Sequence, residues 1–168
     1  MDILWQELTL GIHDSKQLLR AAIRLLAAML LGGIVGIQRE RSGKPAGLRT
    51  HMLVCTGSAV FVLSCISAGM AFDALSRVIQ GIVTGIGFIG AGSILKLSQE
   101  HEIKGLTTAA GVWMTAAIGI ACGLGREATA ALSTVLALVV LMAVPHLVGK
   151  DNDAGRDLPA SRDDNRNS

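Results

Sequence analysis

The stretch Val78-Ile79-Gln80-Gly81-Ile82-Val83-Thr84-Gly85-Ile86-Gly87-Phe88-Ile89-Gly90-Ala91-Gly92-Ser93-Ile94-Leu95 decides the fold. It carries no charge from end to end and is bounded by Arg77 and Lys96. About 20 apolar residues in a helix cross the roughly 30 Å of a bilayer's hydrocarbon core, so this run reads as a membrane span. Four more runs of similar character follow the same logic, at 21–37, 52–72, 106–124 and 128–147. The connections between them are too short to hold an aqueous domain. The whole chain agrees, with 51% hydrophobic residues in 168 and a mean hydropathy of +0.52. Its charges fall in clusters between the runs, as lipid requires. The expected fold is therefore all-α, a polytopic transmembrane bundle of about five helices.

Within the quoted stretch, Gly85-Ile86-Gly87-Phe88-Ile89-Gly90 matches the G-x-G-x-x-G spelling of dinucleotide-binding folds. That motif works only after a strand and at the start of a helix, whereas here the preceding residues belong to the same apolar span. Helix packing explains the glycines better. Gly81 and Gly85, Gly87 and Ala91, Gly32 and Gly36, and Gly119 and Gly123 all stand four apart. Small residues at that interval make a smooth face on which helices approach closely in lipid. On this reading the third span is the centre of the bundle, and its glycines allow a bend or break near 90–92 that frees backbone carbonyls at membrane depth.

Orientation follows from Lys and Arg, which are retained on the cytoplasmic side. Arg39, Arg41, Lys44, Arg49, Lys96, Lys104, Lys150, Arg156, Arg162 and Arg166 fall on one side; Lys16, Arg20, Arg24, Arg77 and Arg126 on the other. An odd number of spans then puts the N-terminus outside and the C-terminus in the cytoplasm. Arg24 lies inside the first run but near its edge, where a long side chain snorkels to the headgroups, so Arg20 and Arg24 read as an anchor; a basic lining for an ion or phosphate path is the alternative. Residues 1–20 mix Ile3, Leu4, Trp5 and Leu8 with Asp2, Glu7 and Asp14, which suits an interfacial segment. The acidic start lacks the features of a cleaved signal, so the first span is expected to be retained. The transmembrane domain is expected over 21–148, and the polar residues 149–168 to form a disordered cytoplasmic tail.

Two places hold candidate chemistry. In Ile103-Lys104-Gly105-Leu106-Thr107-Thr108-Ala109-Ala110, Thr107 or Thr108 is expected to cap a helix whose positive end, aided by Lys104, suits an anion. A capped transmembrane helix is the plainer reading. The loop 38–51 holds Arg39-Glu40-Arg41 and Gly47-Leu48-Arg49-Thr50, dense enough in charge to contact a phospholipid, a phosphate or a partner protein. Topology alone already accounts for a basic loop. Metal binding is poorly supported, since Glu40, Asp73, Glu100, Glu102 and Glu127 lie in loops or at span ends. Cys55, Cys65 and Cys122 lack a C-x-x-C pair and read as small buried residues. His51 and His101 are read as loop residues, and polar residues such as Ser58 and Thr115 as interhelical hydrogen-bonders. No nucleophile and base stand at a recognisable spacing, so neither an enzyme nor a cofactor is expected. The net charge of +2 gives no basis for nucleic-acid binding.

Three motifs in order, Arg39-Glu40-Arg41 with Ala46-Gly47-Leu48-Arg49-Thr50-His51, then Gly85-Ile86-Gly87-Phe88-Ile89-Gly90-Ala91-Gly92, then Lys104-Gly105-Leu106-Thr107-Thr108-Ala109-Ala110 with Trp113, closely resemble the MgtC/SapB family. The resemblance covers roughly residues 20 to 145. It implies a bacterial inner-membrane protein with a cytoplasmic C-terminus, associated with adaptation to low magnesium, acid and growth inside host cells. Family members look like regulators of membrane physiology rather than magnesium carriers. Several carry a soluble domain after the last helix, where this sequence has a polar tail. Three functions remain open: a regulator that packs against other membrane proteins or against itself, a transporter or channel for Mg²⁺ or another ion, and a membrane enzyme holding a phosphorylated or lipid substrate at Arg39, Arg41, Arg49 and Thr107.

Overall fold

A computed structural model describes residues 15–97 and 102–149. The residues 1–14 of the expected interfacial segment and 150–168 of the expected tail lie outside the described residues. Five helices follow in order: α1 (Ser15–Arg41), α2 (Leu48–Ser67), α3 (Phe72–Gly92), α4 (Leu106–Gly123) and α5 (Glu127–Gly149). The first four are long and apolar enough to cross a membrane, and α5 is apolar over Glu127–Ala143. The expected helical bundle is thus present. Its first helix starts earlier than the apolar run, taking in Ser15 to Arg20 from the segment read as interfacial.

Each connection has a local cause. Pro45 cannot donate a backbone hydrogen bond and separates α1 from α2. The start of α2 is then capped from the preceding helix, where a Glu40 Oε2 accepts from the Leu48 N–H at 2.7 Å. After α2, Gly69 takes φ +65 and donates to Ile66 O, while Met70 reaches back to Cys65 O. That is a Schellman ending, which needs a residue at ease in the left-handed region. The ending recurs after α4, through Gly125 and Arg126.

Between α3 and α4 the chain makes a short antiparallel strand pair, β1 (Leu95–Leu97) with β2 (Glu102–Lys104), in the register Leu95 to Lys104. This detail was absent from the all-helical reading, which ran the third span on to Leu95. The helix stops at Gly92 because Ser93 turns its hydroxyl back onto Gly90 O at 2.7 Å, a local bond that competes with helix continuation. The expected break near 90–92 corresponds to this end: α3 is continuous up to Gly92 and leaves the helix there. Gly105 is the N-cap of α4, and no side chain caps it, so the capping expected of Thr107 or Thr108 is corrected.

The expected centre of the bundle is also corrected. α3 buries only Ile86 and Gly90, with 17% of its apolar window inside the protein against 56% for α4. A Cβ at Gly81, Gly85, Gly87 or Gly92 would meet nothing within 4 Å. Close approach happens instead at the glycine pairs of α1 and α4. A Cβ on Gly32 would come within 2.6 Å of Cys55 Cβ, one on Gly36 within 2.7 Å of Leu48 Cα, and one on Gly123 within 2.8 Å of Val62 Cβ. At Gly119 the added atom would run into the Cys55 carbonyl oxygen. The spacing of small residues marks a smooth face but does not say which helix, or whose, lies on it. Here α2 lies between α1 and α4, and the core of Ala28, Val35, Cys55, Ala59, Ile118 and Cys122 fills their junction.

This geometry separates two kinds of glycine experimentally. Gly119→Ala pushes a methyl into the Cys55 carbonyl and should cost about 1–3 kcal/mol of stability, as overpacking does. Gly57→Ala, where nothing stands within 4 Å, should stay within about 0.5 kcal/mol or gain from helix propensity. Thermal unfolding of the purified chain in detergent reads both; equal effects would contradict the packing described.

Candidate functional site: a polar seam between α1, α2 and α4

Polar side chains buried in an apolar bundle are costly unless bonded, so those present deserve to be followed. Arg39 ends up 2% exposed although it sits in the last turn of α1. Its Nη2 donates to Thr108 Oγ1 at 3.1 Å, tying α1 to the first turn of α4. Two turns further along α4, about 10 Å by helix rise, His51 of α2 is wholly buried. Its Nδ1 lies 2.7 Å from Thr115 Oγ1, and that hydroxyl donates to Gly111 O at 2.9 Å. In the Nδ1–H tautomer the ring donates to Thr115 Oγ1 while that hydroxyl serves Gly111 O. The ring lies over Gly111, where a Cβ would sit in ordinary contact with His51 Cε1 at 3.7 Å. His51 Nε2 and Arg39 Nε are both buried without a hydrogen-bond partner among the described residues.

The line continues along the same face of α4. Ser58, 5% exposed, stands over Gly119, where a Cβ would come within 2.9 Å of its own Cβ. At the far end Arg24 of α1 donates from Nη1 to Gly123 O at 3.2 Å and faces Glu127 Oε1 at 3.9 Å. Arg24 was read as a headgroup anchor or a path lining; it instead caps the C-terminus of α4, where a cation meets the negative end of the helix dipole. From Thr108 to Gly123, the end of α4, the seam covers about 22 Å of helix rise, roughly three-quarters of a hydrocarbon core.

Of the residues singled out from the sequence, few converge. Arg39 and Thr108 meet directly. Glu40 caps α2, and a Cβ on Gly47, the N-cap residue, would come within 2.8 Å of the Glu40 carboxylate and push it from that position. Leu48 opens α2, Thr50 is half-buried, and Arg41, Arg49 and Thr107 are exposed. Gly90 packs against Ala109, whereas Gly85, Gly87 and Gly92 face open space. Lys104 lies in β2 and Gly105 begins α4. Trp113 is 49% exposed on the outer side of α4. Of Arg39, Arg41, Arg49 and Thr107, Arg39 is the one with a hydrogen bond to another helix among the described residues, to Thr108 of α4.

Sequence reasoning missed His51, which was read as a loop residue but lies in α2. The signal was available. Reading Gly47 as a helix start places His51, Cys55, Ser58 and Val62 at intervals of four, three and four on one buried face. Among the described residues no three His, Cys, Asp or Glu side chains are grouped to hold a metal ion. The His51–Thr115 bond can be measured by a double-mutant cycle. Thr115→Val strands a buried imidazole N–H and should cost about 1–3 kcal/mol, while His51→Leu with Thr115→Val should cost less than the two single changes added. Additivity to within about 0.5 kcal/mol would mean the pair does not interact.

The comparisons with known proteins bear on this arrangement. The MgtC family matches residues 25–150. The chain is similar to SrpB of Synechococcus elongatus, at 43% identity over 137 residues, which is 75% of each protein. It is 45% identical to MgtC of Salmonella typhimurium over 116 residues, 69% of this chain and 48% of that protein. It is 44% identical over 128 residues, 71% of this chain and 58% of the relative, to YhiD of Escherichia coli, whose name proposes a magnesium transporter. The match thus spans about half the length of MgtC. No solved structure matches the chain. Apolar helices long enough to cross a bilayer, the polar seam that joins three of them, and a family match over most of the bundle lead to one conclusion: the chain is a membrane protein that belongs to the MgtC family.

Proposed function

We propose that this protein is a non-enzymatic regulator of membrane physiology that acts by packing against other membrane proteins. In this reading it sits in a bacterial inner membrane, with the α1–α2 turn and the C-terminus in the cytoplasm as the Lys and Arg distribution favours. It serves the adaptation to low magnesium, acid or intracellular growth that the family resemblance implies. One observation carries the reading. The glycines Gly81 and Gly85, four apart on α3, form a smooth helical face that the described chain leaves uncovered. Beside them Phe88 is 85% exposed. An apolar groove of about 720 Å³ runs between Phe61, Gly57 and Leu53 on α2 and Gly81, Gly85 and Ile89 on α3. In lipid, association rests on such close backbone approach rather than on hydrophobic burial.

The second reading, transport of Mg²⁺, is favoured by the name of the YhiD relative. The seam argues against it here, because its two ends carry the guanidinium groups of buried Arg39 and half-buried Arg24, which repel a divalent cation. Flux into liposomes should accordingly stay at the level of empty vesicles.

Purification in mild detergent tests the first reading. The wild-type chain should bring down a membrane protein, and Gly85→Leu should abolish this while leaving the thermal midpoint nearly unchanged, since nothing in the chain lies within 4 Å of that position. A chain that purifies alone under every condition would overturn the proposal.

A further inference from the structure

α3 carries a second pattern, on a side that the bundle leaves bare. Asp73, Arg77, Gln80, Thr84, Gly87 and Ala91 follow one another at intervals of four and three in alternation. On a helix that spacing draws one nearly straight stripe, about a third of a turn round from the buried Ile86 and Gly90. All six residues are exposed. The stripe is also distinct from the groove beside Gly81 and Gly85, which lies a similar angle away.

Exposed here means facing hydrocarbon. α3 has 21 residues, so Gln80 and Thr84 stand about 12 and 18 Å along a helix of about 30 Å, on either side of the membrane's middle. No glutamine reaches the headgroups from there. Neither side chain has a hydrogen-bond partner among the described residues. A bare amide in hydrocarbon is costly, and polar side chains at such depth ordinarily bond across to another helix. α5 shows how this chain meets lipid, since its exposed positions over 131–142 are all apolar. The stripe on α3 is built for something else.

We propose that this stripe is the interface of a parallel homodimer, α3 of one copy packed along α3 of a second copy of this chain. The stripe is complementary to itself. A glutamine amide both donates and accepts, so two Gln80 side chains facing across a twofold axis satisfy each other. At the start of α3, Asp73 and Arg77 put opposite charges on the same stripe, and neither has an ion pair among the described residues. Arg77 of each copy then reaches Asp73 of the other. Toward the far end a Cβ on Gly87 would meet nothing within 4 Å, and Ala91 is small, so two backbones can close up there. The alternation of four and three is that of left-handed helix pairs, in which one polar residue sets the register. A different membrane protein would need a matching amide and matching charges at the same depths; a second copy has them by identity. The inference does not rest on the role proposed for Gly81 and Gly85.

Energy transfer between full chains labelled at the amino terminus and reconstituted in liposomes reads the pairing as added lipid dilutes them. The wild-type chain should behave as a dimer that dissociates on dilution. Gln80→Leu should weaken association at least about fivefold, the scale of interhelical hydrogen bonds in lipid, without lowering the thermal midpoint. Gln80→Asn, which keeps the amide, should stay closer to wild type; equal loss in the two variants would overturn the amide pair. Gly85→Leu, on the groove side, should leave the dimer intact, and loss there equal to that of Gln80→Leu would overturn the separate stripe. Oxidation with copper phenanthroline should link Thr84→Cys chains into a disulfide dimer but not Val140→Cys chains, the three native cysteines being buried. A chain monomeric at every dilution would overturn the proposal, as would a dimer unchanged by Gln80→Leu combined with Gly87→Leu. A monomer from which Gln80→Leu removes a different co-purifying protein would give the stripe to that protein and overturn the second copy.

Discussion

The approach of α2 to glycines on both sides is the contact on which the rest of the bundle depends. Cys55 presents its Cβ to Gly32 and its carbonyl oxygen to Gly119, so α1 and α4 meet the same turn of α2 at backbone distance. Lipid tails are as apolar as the helix surfaces, and a membrane bundle gains little from hiding hydrophobic area. It gains from dispersion contacts that only close approach provides. A side chain at Gly32 or Gly119 would separate the helices and with them every polar contact that crosses the junction.

Those polar contacts depend on the packing in turn. The bond from Arg39 to Thr108 and that from His51 to Thr115 each join two helices, and both require the glycine contacts to set the spacing. They fix register as much as they add energy, since a helix sliding by one turn would leave a cation or an imidazole against hydrocarbon. The seam is closed at its far end by Arg24 on Gly123 O. The three-helix block of α1, α2 and α4 is thus pinned by polar bonds at both membrane surfaces and by packed glycine between them.

Much of this was legible in the sequence, and the remainder was not for physical reasons. Charge-free runs give the helices because lipid forbids the alternatives. The pairs Gly32 with Gly36 and Gly119 with Gly123 were recognisable as contact faces. The same spacing in α3 was not distinguishable from them, because a glycine face looks alike whether its partner is in the same chain or elsewhere. Arg39 was legible as a functional candidate but not as a buried one, since a residue at the edge of a basic cluster ordinarily points to water. His51 was hidden because the charged loop was drawn over 38–51, whereas the helix already begins at Leu48. Arg24 and Glu127 are distant in sequence, and only the fold brings them into reach.

The light anchoring of α3 has a consequence for how the molecule fluctuates. Among the described residues it buries only Ile86 and Gly90, and it is tethered through the β1–β2 pair and the close contact of Gly105 with Ser93 O. The three-helix block keeps its own core without it. Opening at α3 therefore belongs to the low-free-energy end of the protein's fluctuations, well below global unfolding. In the plane of the membrane α3 behaves as a detachable leaf on a rigid spine. What holds the leaf is chiefly the packing of Ile86 on Val112 and Ala116 and of Gly90 on Ala109, and its loss leaves the core of the spine in place.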